Sequence, residues 1–207
     1  AKPAQVSKID LDDPKTFNKI AAKAVSRLNG SGKGKNSNLQ TRIEKGEELL
    51  YRKNQPKPYT GWTKEVWLGN SKGQIRRLTQ YKGGKKDGPA IYLQRNGQKW
   101  NEYTYKDGKL DGLFTRWYEH IGQKEGEGNY KDGKKDGLQT WWYENGQKKA
   151  ETNFKDDKVM TSVVWKPNGE KCPVTNVVNG NGVVVWYSNY GTETRRDTYK
   201  DGKLVKD

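Results

Sequence analysis

The chemistry open to this sequence depends on aromatic and basic side chains, because other reactive groups are scarce. Among 207 residues there is one histidine, His120, and one cysteine, Cys172. These are too few ligands for a His/Cys metal site, and an internal disulfide has no second cysteine. We interpret His120 as a solvated turn residue and Cys172 as a buried small hydrophobic residue. Since no nucleophile–base pair, paired carboxylate or phosphate-binding loop stands out, we predict a protein that is not an enzyme and uses no cofactor or metal.

Aromatic rings and positive charge dominate what remains. The chain has 8 Trp, 12 Tyr and 3 Phe, and its 40 Lys and Arg exceed its 25 Asp and Glu to give a net charge of +15. Each large ring can bury roughly 150–250 Å², so we expect a folded protein despite the shortage of aliphatic residues. Lysines beside exposed rings can bind an anionic surface or single-stranded nucleic acid. Lysines at turns and sheet edges can equally serve solubility alone.

The sequence repeats an eight-residue block that starts with Tyr and ends with Gly, most clearly at 81–88, 105–112 and 130–137. The glycine that ends each block recurs, with one degenerate position, at Gly61, Gly88, Gly112, Gly137, Thr161 and Gly182. A second turn follows inside each unit, as at Asn145-Gly146. Asn-Gly between β-forming runs is typical of hairpin turns in which both residues have positive φ. Each unit is therefore expected to be one hairpin.

These patterns predict an all-β fold, an elongated antiparallel β-meander of about six hairpin repeats with one short N-terminal helix. We expect about twelve strands in one continuous sheet. Residues 1–38 are expected to hold the helix and a flexible linker, and residues 39–207 the repeat array.

The helix is predicted to start at Pro14, behind an N-cap at Asp13, and to run to about Leu28. Its apolar residues recur at helical spacing and are expected to dock on the array; the alternative is that this stripe binds a partner or a membrane surface. The linker is expected from Gly30 to Asn38, where no apolar residue occurs.

Side chains alternate between the two faces of each strand when counted from the glycine that ends the block. Odd positions such as Leu113 and Leu138 are consistently apolar, so we expect them to pack inward. Even positions are more mixed and are expected to form the wetter, binding face. The binding residues predicted there, partly exposed and nearly collinear, are Tyr92, Arg116, Tyr118, Trp141, Tyr143 and Trp186. The alternative is that these rings only cover one another in cross-strand ladders.

The Tyr-Lys-Asp-Gly-Lys-x-Asp-Gly block, the aromatic strand and the Glu-Asn-Gly-Gln-Lys turn resemble the MORN-repeat variant of bacterial proteins, over roughly residues 47–205. Many members of that family are labelled antitoxins of toxin–antitoxin systems, so the resemblance implies a binding role of which an antitoxin would be a special case. The motif specifies turns and strands but contains no catalytic group. The unit at 154–160 has lost both turn glycines, and we expect a bulge or kink there.

We therefore expect a non-catalytic binding or scaffold protein that uses an extended aromatic and basic sheet surface for protein–protein interaction. A platform for glycans or anionic membrane headgroups is the second hypothesis, and nucleic-acid binding, which has no supporting motif, is the third. No stretch approaches the roughly 20 apolar residues that span a bilayer. The first residue is Ala1 rather than Met, which indicates that an upstream segment, either a signal peptide or an expression tag, has been removed. We slightly favour an extracytoplasmic location, periplasmic or secreted, over the cytoplasm.

Overall fold

The computed structural model describes residues 11, 13–26, 38–67 and 74–205. Backbone contacts divide the chain into two compact units, residues 1–85 and residues 86–207. Both units are built mainly from β-hairpins whose strands follow one another in sequence. The predicted all-β class, with repeated antiparallel hairpins and one short N-terminal helix, is therefore confirmed.

The first unit contains one helix and five strands. These are α1 (Pro14–Lys23), β1 (Val25–Ser26), β2 (Leu39–Glu44), β3 (Glu47–Arg52), β4 (Gly61–Val66) and β5 (Ile75–Lys82). Strands β2 and β3 form one antiparallel pair, β4 and β5 form another, and β1 lies parallel to β4.

Helix α1 starts where the sequence predicts. The Asp13 carboxylate accepts hydrogen bonds from the backbone amide of Thr16 at 2.8 Å and from its hydroxyl at 2.6 Å. These bonds hold the pKa of Asp13 below its usual value. Pro14 follows at the first helical position, where its missing N–H costs no helical bond.

The helix ends earlier than predicted. It stops at Lys23 because Val25 and Ser26 adopt extended backbone and pair with β4. The predicted end at Leu28 lies outside the described residues, as does the predicted linker up to residue 37.

The apolar side of α1 packs on β4 and β5, which confirms the predicted docking of the helix on strands. Ala21 and Ala24 are buried against Leu78, with Phe17, Trp62 and Ile75 around them. The Lys64 ammonium donates to the carbonyl oxygen of Ala21 at 3.1 Å, so β4 also holds the helix by a polar contact.

The second unit holds the remaining ten strands. These are β6 (Lys85–Leu93), which begins at the unit boundary, β7 (Lys99–Lys106), β8 (Lys109–Trp117), β9 (Lys124–Lys131), β10 (Lys134–Trp142), β11 (Lys148–Lys155), β12 (Lys158–Val164), β13 (Gly182–Tyr187), β14 (Glu193–Lys200) and β15 (Lys203–Leu204). Strands β6 to β12 form an antiparallel meander, whereas β13 to β15 form a separate three-stranded sheet. The prediction of one continuous sheet is therefore wrong.

The break follows the degenerate unit. Its turn survives without glycine, because Asp156 and Asp157 themselves adopt positive φ of 49° and 67°. The expected bulge is present where the pairing of β11 with β12 shifts beside Phe154. Residues 165–181 then make only isolated bridges, so the next hairpin starts a new sheet.

Two kinds of turn alternate along the second unit. At Asp132-Gly133 both residues have positive φ, 50° and 88°, whereas at Asn145-Gly146 only the glycine does, with φ of 82°. The prediction of two positive φ values is wrong for Asn96-Gly97, Asn145-Gly146 and Asn168-Gly169, whereas Asn179-Gly180 and the Asp-Gly turns have that geometry. In the Asn-Gly turn the Gly146 amide donates to the Tyr143 carbonyl oxygen at 2.9 Å, closing a longer loop.

The main core of the second unit lies where β11 and β12 meet β13. Its buried residues are Ala150, Val159, Val164, Cys172, Val177, Val184, Val185 and Tyr187. Cys172 is buried there as predicted, and its sulfur lies 3.2 Å from the Tyr187 hydroxyl oxygen.

At the first two positions after the glycine in β8 and β10, burial is the reverse of the prediction. The odd-position side chains Leu113 and Leu138 are 45% and 51% exposed, whereas the even-position Phe114 and Gln139 are buried. The reason is a glycine on β9. Gly128 pairs with Gln139, and because it has no side chain, the even-face side chains of the neighbouring strands pack over its backbone. At β6 and β13 the odd positions are buried as predicted, namely Ile91, Leu93, Val185 and Tyr187.

Candidate functional site

Three of the six predicted binding residues lie in one row across the even face of the meander. The register runs from Tyr92 through Asn101, Arg116 and Gly126 to Trp141, one residue per strand. Tyr92, Arg116 and Trp141 are all partly exposed. The predicted collinearity is therefore confirmed for these three residues.

Aromatic contacts join this row to its neighbour. The ring of Tyr92 meets Tyr103 edge-on with centroids 5.8 Å apart, and Tyr103 stacks on Phe114 at 6.4 Å. Phe114 in turn lies 6.0 Å from Trp141. Such pairs contribute about 0.5–1.5 kcal/mol each beyond burial, so Tyr92 and Trp141 also take part in a cross-strand ladder.

A β-bulge near the Asn-Gly end of successive hairpins displaces one side chain in each. Glu125 is the extra residue of β9: its two neighbours in sequence pair with consecutive residues of β8. Lys149 is likewise the extra residue of β11 opposite β10. Thr194 has the equivalent place in β14. Bulges commonly re-aim a side chain next to a functional site.

These bulge residues and several aromatic rings line a groove with two compartments. The first, of about 250 Å³, is lined by Tyr118, Glu125, Trp141, Trp142, Lys149 and Trp186. The second, of about 390 Å³, is lined by Lys149, Trp186, Tyr187, Thr194 and Arg195. Lys149 and Trp186 border both compartments. We call this whole depression the aromatic groove.

The indole of Trp186 is held in a fixed orientation. Its Nε1 donates to the Asp197 carboxylate at 2.7 Å. The Arg195 guanidinium lies 5.6 Å from the ring centre, and its Nη2 is 2.9 Å from the same carboxylate. The ring is therefore positioned before any ligand arrives.

Two tyrosines act as clamps between hairpins. The Tyr118 hydroxyl donates to the carbonyl oxygen of Trp142 at 2.7 Å, and the Tyr143 hydroxyl donates to that of Trp165 at 2.8 Å. Burial raises the pKa of both tyrosines to about 12. Tyr143 is only 1% exposed, so the prediction that it is a partly exposed binding residue is wrong.

The charges around the groove are unequally compensated. Glu125 forms an ion pair with Arg116, Oε2 to Nε, at 2.6 Å. The Lys149 ammonium lies 5.3 Å from the centre of the Tyr143 ring. Within the described part of the chain, no carboxylate pairs with Lys149, and the groove keeps one uncompensated positive charge.

The odd face of the meander is organised differently. Lysine and tryptophan alternate along one row, in the order Lys99, Trp117, Lys124, Trp142, Lys148 and Trp165. The three lysines are paired at 2.8, 2.8 and 2.5 Å with Glu102, Glu127 and Glu151 of the next row. Positive and negative charges therefore cancel along these two rows.

A third row on the odd face carries Leu113 and Leu138, with Asn129 on the strand between them. We call the surface formed by the three rows the paired-charge face. The prediction of binding residues did not include this face, although the Lys-x-x-Glu spacing at 99–102, 124–127 and 148–151 is visible in the sequence.

The repeated aspartates serve the turns. Asp111 of one hairpin accepts a hydrogen bond from the backbone amide of Asp132 in the next at 3.2 Å, and Asp87 accepts one from Asp107 at 3.3 Å. Over the described residues, no group of three or more His, Cys, Asp or Glu side chains could hold a metal ion. His120 lies in an exposed turn, as predicted.

The net positive charge is concentrated in the first unit. Residues 1–85 contain 19 Lys and Arg against 7 Asp and Glu, whereas residues 86–207 contain 21 against 18. The aspartates and glutamates of the second unit thus offset most of its lysines and arginines.

Comparisons with known proteins assign no family. No protein-family model and no curated protein matches the chain. Among solved structures, a chain of the crystal structure of the GtfA/B complex bound to UDP and GlcNAc is similar over 45% of this chain and 18% of that chain, with 13% identity and a TM-score of 0.21. This chain thus spans less than a fifth of that one, and so slight a likeness carries no argument. In the described ranges no helix is long and apolar enough to cross a membrane.

Proposed function

We propose that the chain is a non-catalytic binding protein and that the paired-charge face docks a partner protein. The observation behind this proposal is that Leu113 and Leu138 are half-exposed on a surface whose neighbouring lysines and glutamates already pair with one another. Interface cores are enriched in apolar and aromatic side chains and depleted of charged ones. The two leucines fit such a core, and the lysines and glutamates beside them would meet a partner with their charges already paired.

The shape of the surface favours a protein over a small ligand. Leu113 and Leu138 lie two strands apart, which places them about 10 Å from each other at the usual strand spacing. A sheet face with side chains in rows offers an extended contact, whereas small molecules occupy concave sites. A partner would pack apolar side chains against the two leucines and would contact the Lys–Glu pairs of the adjacent rows.

A toxin neutralised by this chain would be one such partner, in keeping with the resemblance to bacterial MORN-repeat variants. Polyanions fit the face less well, because the attraction of nucleic acid or anionic lipid depends on uncompensated Lys and Arg. We therefore expect partner affinity to change little with ionic strength.

A photo-crosslinking side chain at position 138 tests the proposal in the cells from which the protein comes. We expect one discrete adduct, identified by mass spectrometry, that is lost when Leu113→Asp is added. The matched control places the same side chain at position 178, where Val178 is 62% exposed, and should not give that adduct. Identical adducts from both positions, or none from position 138, would contradict the proposal.

The identified partner then allows a direct measurement with purified proteins. Leu138→Asp should weaken binding by about tenfold or more, since it places a charge in a desolvated contact. Val178→Asp should leave the affinity unchanged. A steep loss of affinity with added salt would indicate a charge-driven contact instead.

A further inference from the structure

We propose that the aromatic groove is a second, separate binding site, and that its ligand is an acidic saccharide. Trp186 and Trp141 would stack on sugar rings, and Lys149 would bind the carboxylate. Neither Leu113 nor Leu138 lines the groove, which shares only Trp142 with the paired-charge face, so the inference does not rest on the proposed protein partner.

Trp186 and Tyr118 offer ring faces to the groove rather than free hydrogen-bond donors. The Nε1 of Trp186 already donates to Asp197, and the hydroxyl of Tyr118 already donates to the Trp142 carbonyl oxygen. A pyranose ring matches such faces, because its C–H bonds are weakly positive and the face of an aromatic ring is negative. A proline-rich peptide matches less well, since its backbone carbonyls would need donors that these two residues no longer offer.

The bulges supply the polar groups that sugar hydroxyls need. Glu125 accepts hydrogen bonds, Lys149 donates them, and the Thr194 hydroxyl, which itself donates to the Trp186 carbonyl oxygen at 3.2 Å, can accept one. All three border the groove beside the rings. Saccharide hydroxyls also donate and accept, so this mixed set is complementary to them. The two compartments together fall within the range of about 300–1,000 Å³ that is usual for small-ligand sites.

The charge balance selects an acidic sugar over a neutral one. Glu125 is neutralised by Arg116, and Asp197 by Arg195. Lys149 alone faces the groove without a carboxylate partner within the described residues. A carboxylate on the ligand would complete this pair, and a charge-assisted hydrogen bond is roughly twice as strong as a neutral one.

Calorimetric titration of the full chain tests the inference with two tetrasaccharides, tetragalacturonate and a neutral galactose tetramer of the same linkage. We expect the acidic tetramer to bind and the neutral one to bind about tenfold or more weakly. Lys149→Met keeps the aliphatic stem but removes the charge, and should reduce the affinity for the acidic tetramer to that for the neutral one.

Lys148→Met is the matched control. It makes the same substitution one residue away, on the odd face, where Lys148 pairs with Glu151. It should leave both affinities unchanged. Equal loss in the two variants would show that the acidic tetramer responds only to the total positive charge of the chain, and would overturn the inference.

Two further outcomes would also overturn it: no binding of either tetramer, or binding of a proline-rich decapeptide in their place. Thr194→Trp, which fills the second compartment, should abolish binding of the acidic tetramer while the melting temperature stays unchanged. Because Lys149→Met leaves Leu113 and Leu138 intact, crosslinking through position 138 should persist in it. Failure of the saccharide site is thereby distinguishable from failure of the protein site.

Discussion

Trp141 lies directly over Gly126 on the neighbouring strand, so closely that a Cβ on that glycine would come within 2.5 Å of the Trp141 Cε3 atom. Gly126 is buried and has no positive φ, so its backbone would accept any residue. What requires glycine here is the space taken by the indole ring. This contact fixes the wall of the aromatic groove that Trp141 forms.

The first prediction concerns this contact. Gly126→Ala should destabilise the chain by about 1–3 kcal/mol, because the new methyl group forces the indole or the strand to move. Denaturant unfolding measures the loss.

A double-mutant cycle separates steric conflict from any other effect of the alanine. In a Trp141→Ala background the ring is absent, so Gly126→Ala should then cost little, and the coupling between the two sites should exceed about 1 kcal/mol. Additive losses would show that the indole is not the reason for the glycine.

Gly126 also explains how far the sequence could predict the structure. The repeat of block-ending glycines predicted the hairpins, because each turn is a local property of a few residues. The orientation of each strand face was inferred from apolar character, and Leu113 and Leu138 pointed the wrong way. Burial of the even face depends on glycines on the adjacent strand, and the alternation of residues within one strand carries no information about that neighbour.

The groove was only partly predictable for a related reason. Tyr118, Trp141 and Trp186 were predicted binding residues and do line it, whereas Glu125, Lys149 and Thr194 were missed. Their positions depend on bulges, which arise from two-against-one pairing between strands and have no signature within a single strand. Tyr143 was misassigned because a tyrosine at an even position looks the same in the sequence whether its ring is exposed or is buried with its hydroxyl bonded to the next hairpin.

Tyr143 gives the second prediction. Tyr143→Phe should destabilise the chain by about 0.5–1.5 kcal/mol, because it removes the hydroxyl that bonds to the Trp165 carbonyl oxygen. Tyr190→Phe is the control, since Tyr190 is 95% exposed and the same atom is lost without a buried partner. Equal stability of the two variants would refute the clamp.

The same clamp has a consequence at alkaline pH. The pKa of Tyr143 is about 12 in the folded chain and about 10 in an unfolded one. The folded state therefore holds its proton where the unfolded state loses it, so stability should fall as pH rises from about 10 to 12. In Tyr143→Phe this decline should be shallower, as measured by denaturant unfolding across that range.

The third prediction concerns the attachment of α1. Leu78 is fully buried against Ala21 and Ala24, and Leu78→Ala should cost about 2–5 kcal/mol by leaving a cavity. A ten-residue helix is marginal without tertiary contacts, so the α1 amides should exchange hydrogen faster. Ile43→Ala, at a side chain that is 78% exposed, should change stability by less than about 0.5 kcal/mol. Unchanged exchange in α1 would mean that other contacts hold the helix.

The last prediction concerns acid. Lys155 donates to the Asp136 carboxylate at 2.9 Å, and this bond, with one from the Asp156 amide, holds the pKa of Asp136 below its usual value of 3.8. As pH falls, the unfolded chain binds this proton first. The stabilisation from the pair is therefore present above pH 3.8 and is lost as pH falls through the lower folded value.

Asp136→Asn tests this linkage, because the amide oxygen still accepts a hydrogen bond but the group no longer titrates. The acid-side slope of melting temperature against pH should become shallower. It should not vanish, since hydrogen bonds also lower the pKa of Asp13, Glu170 and Glu193. Lys155→Met should produce a similar change, and the two substitutions together should add little, because each removes the same pair. An unchanged slope in both variants would show that the pair contributes nothing to stability in acid.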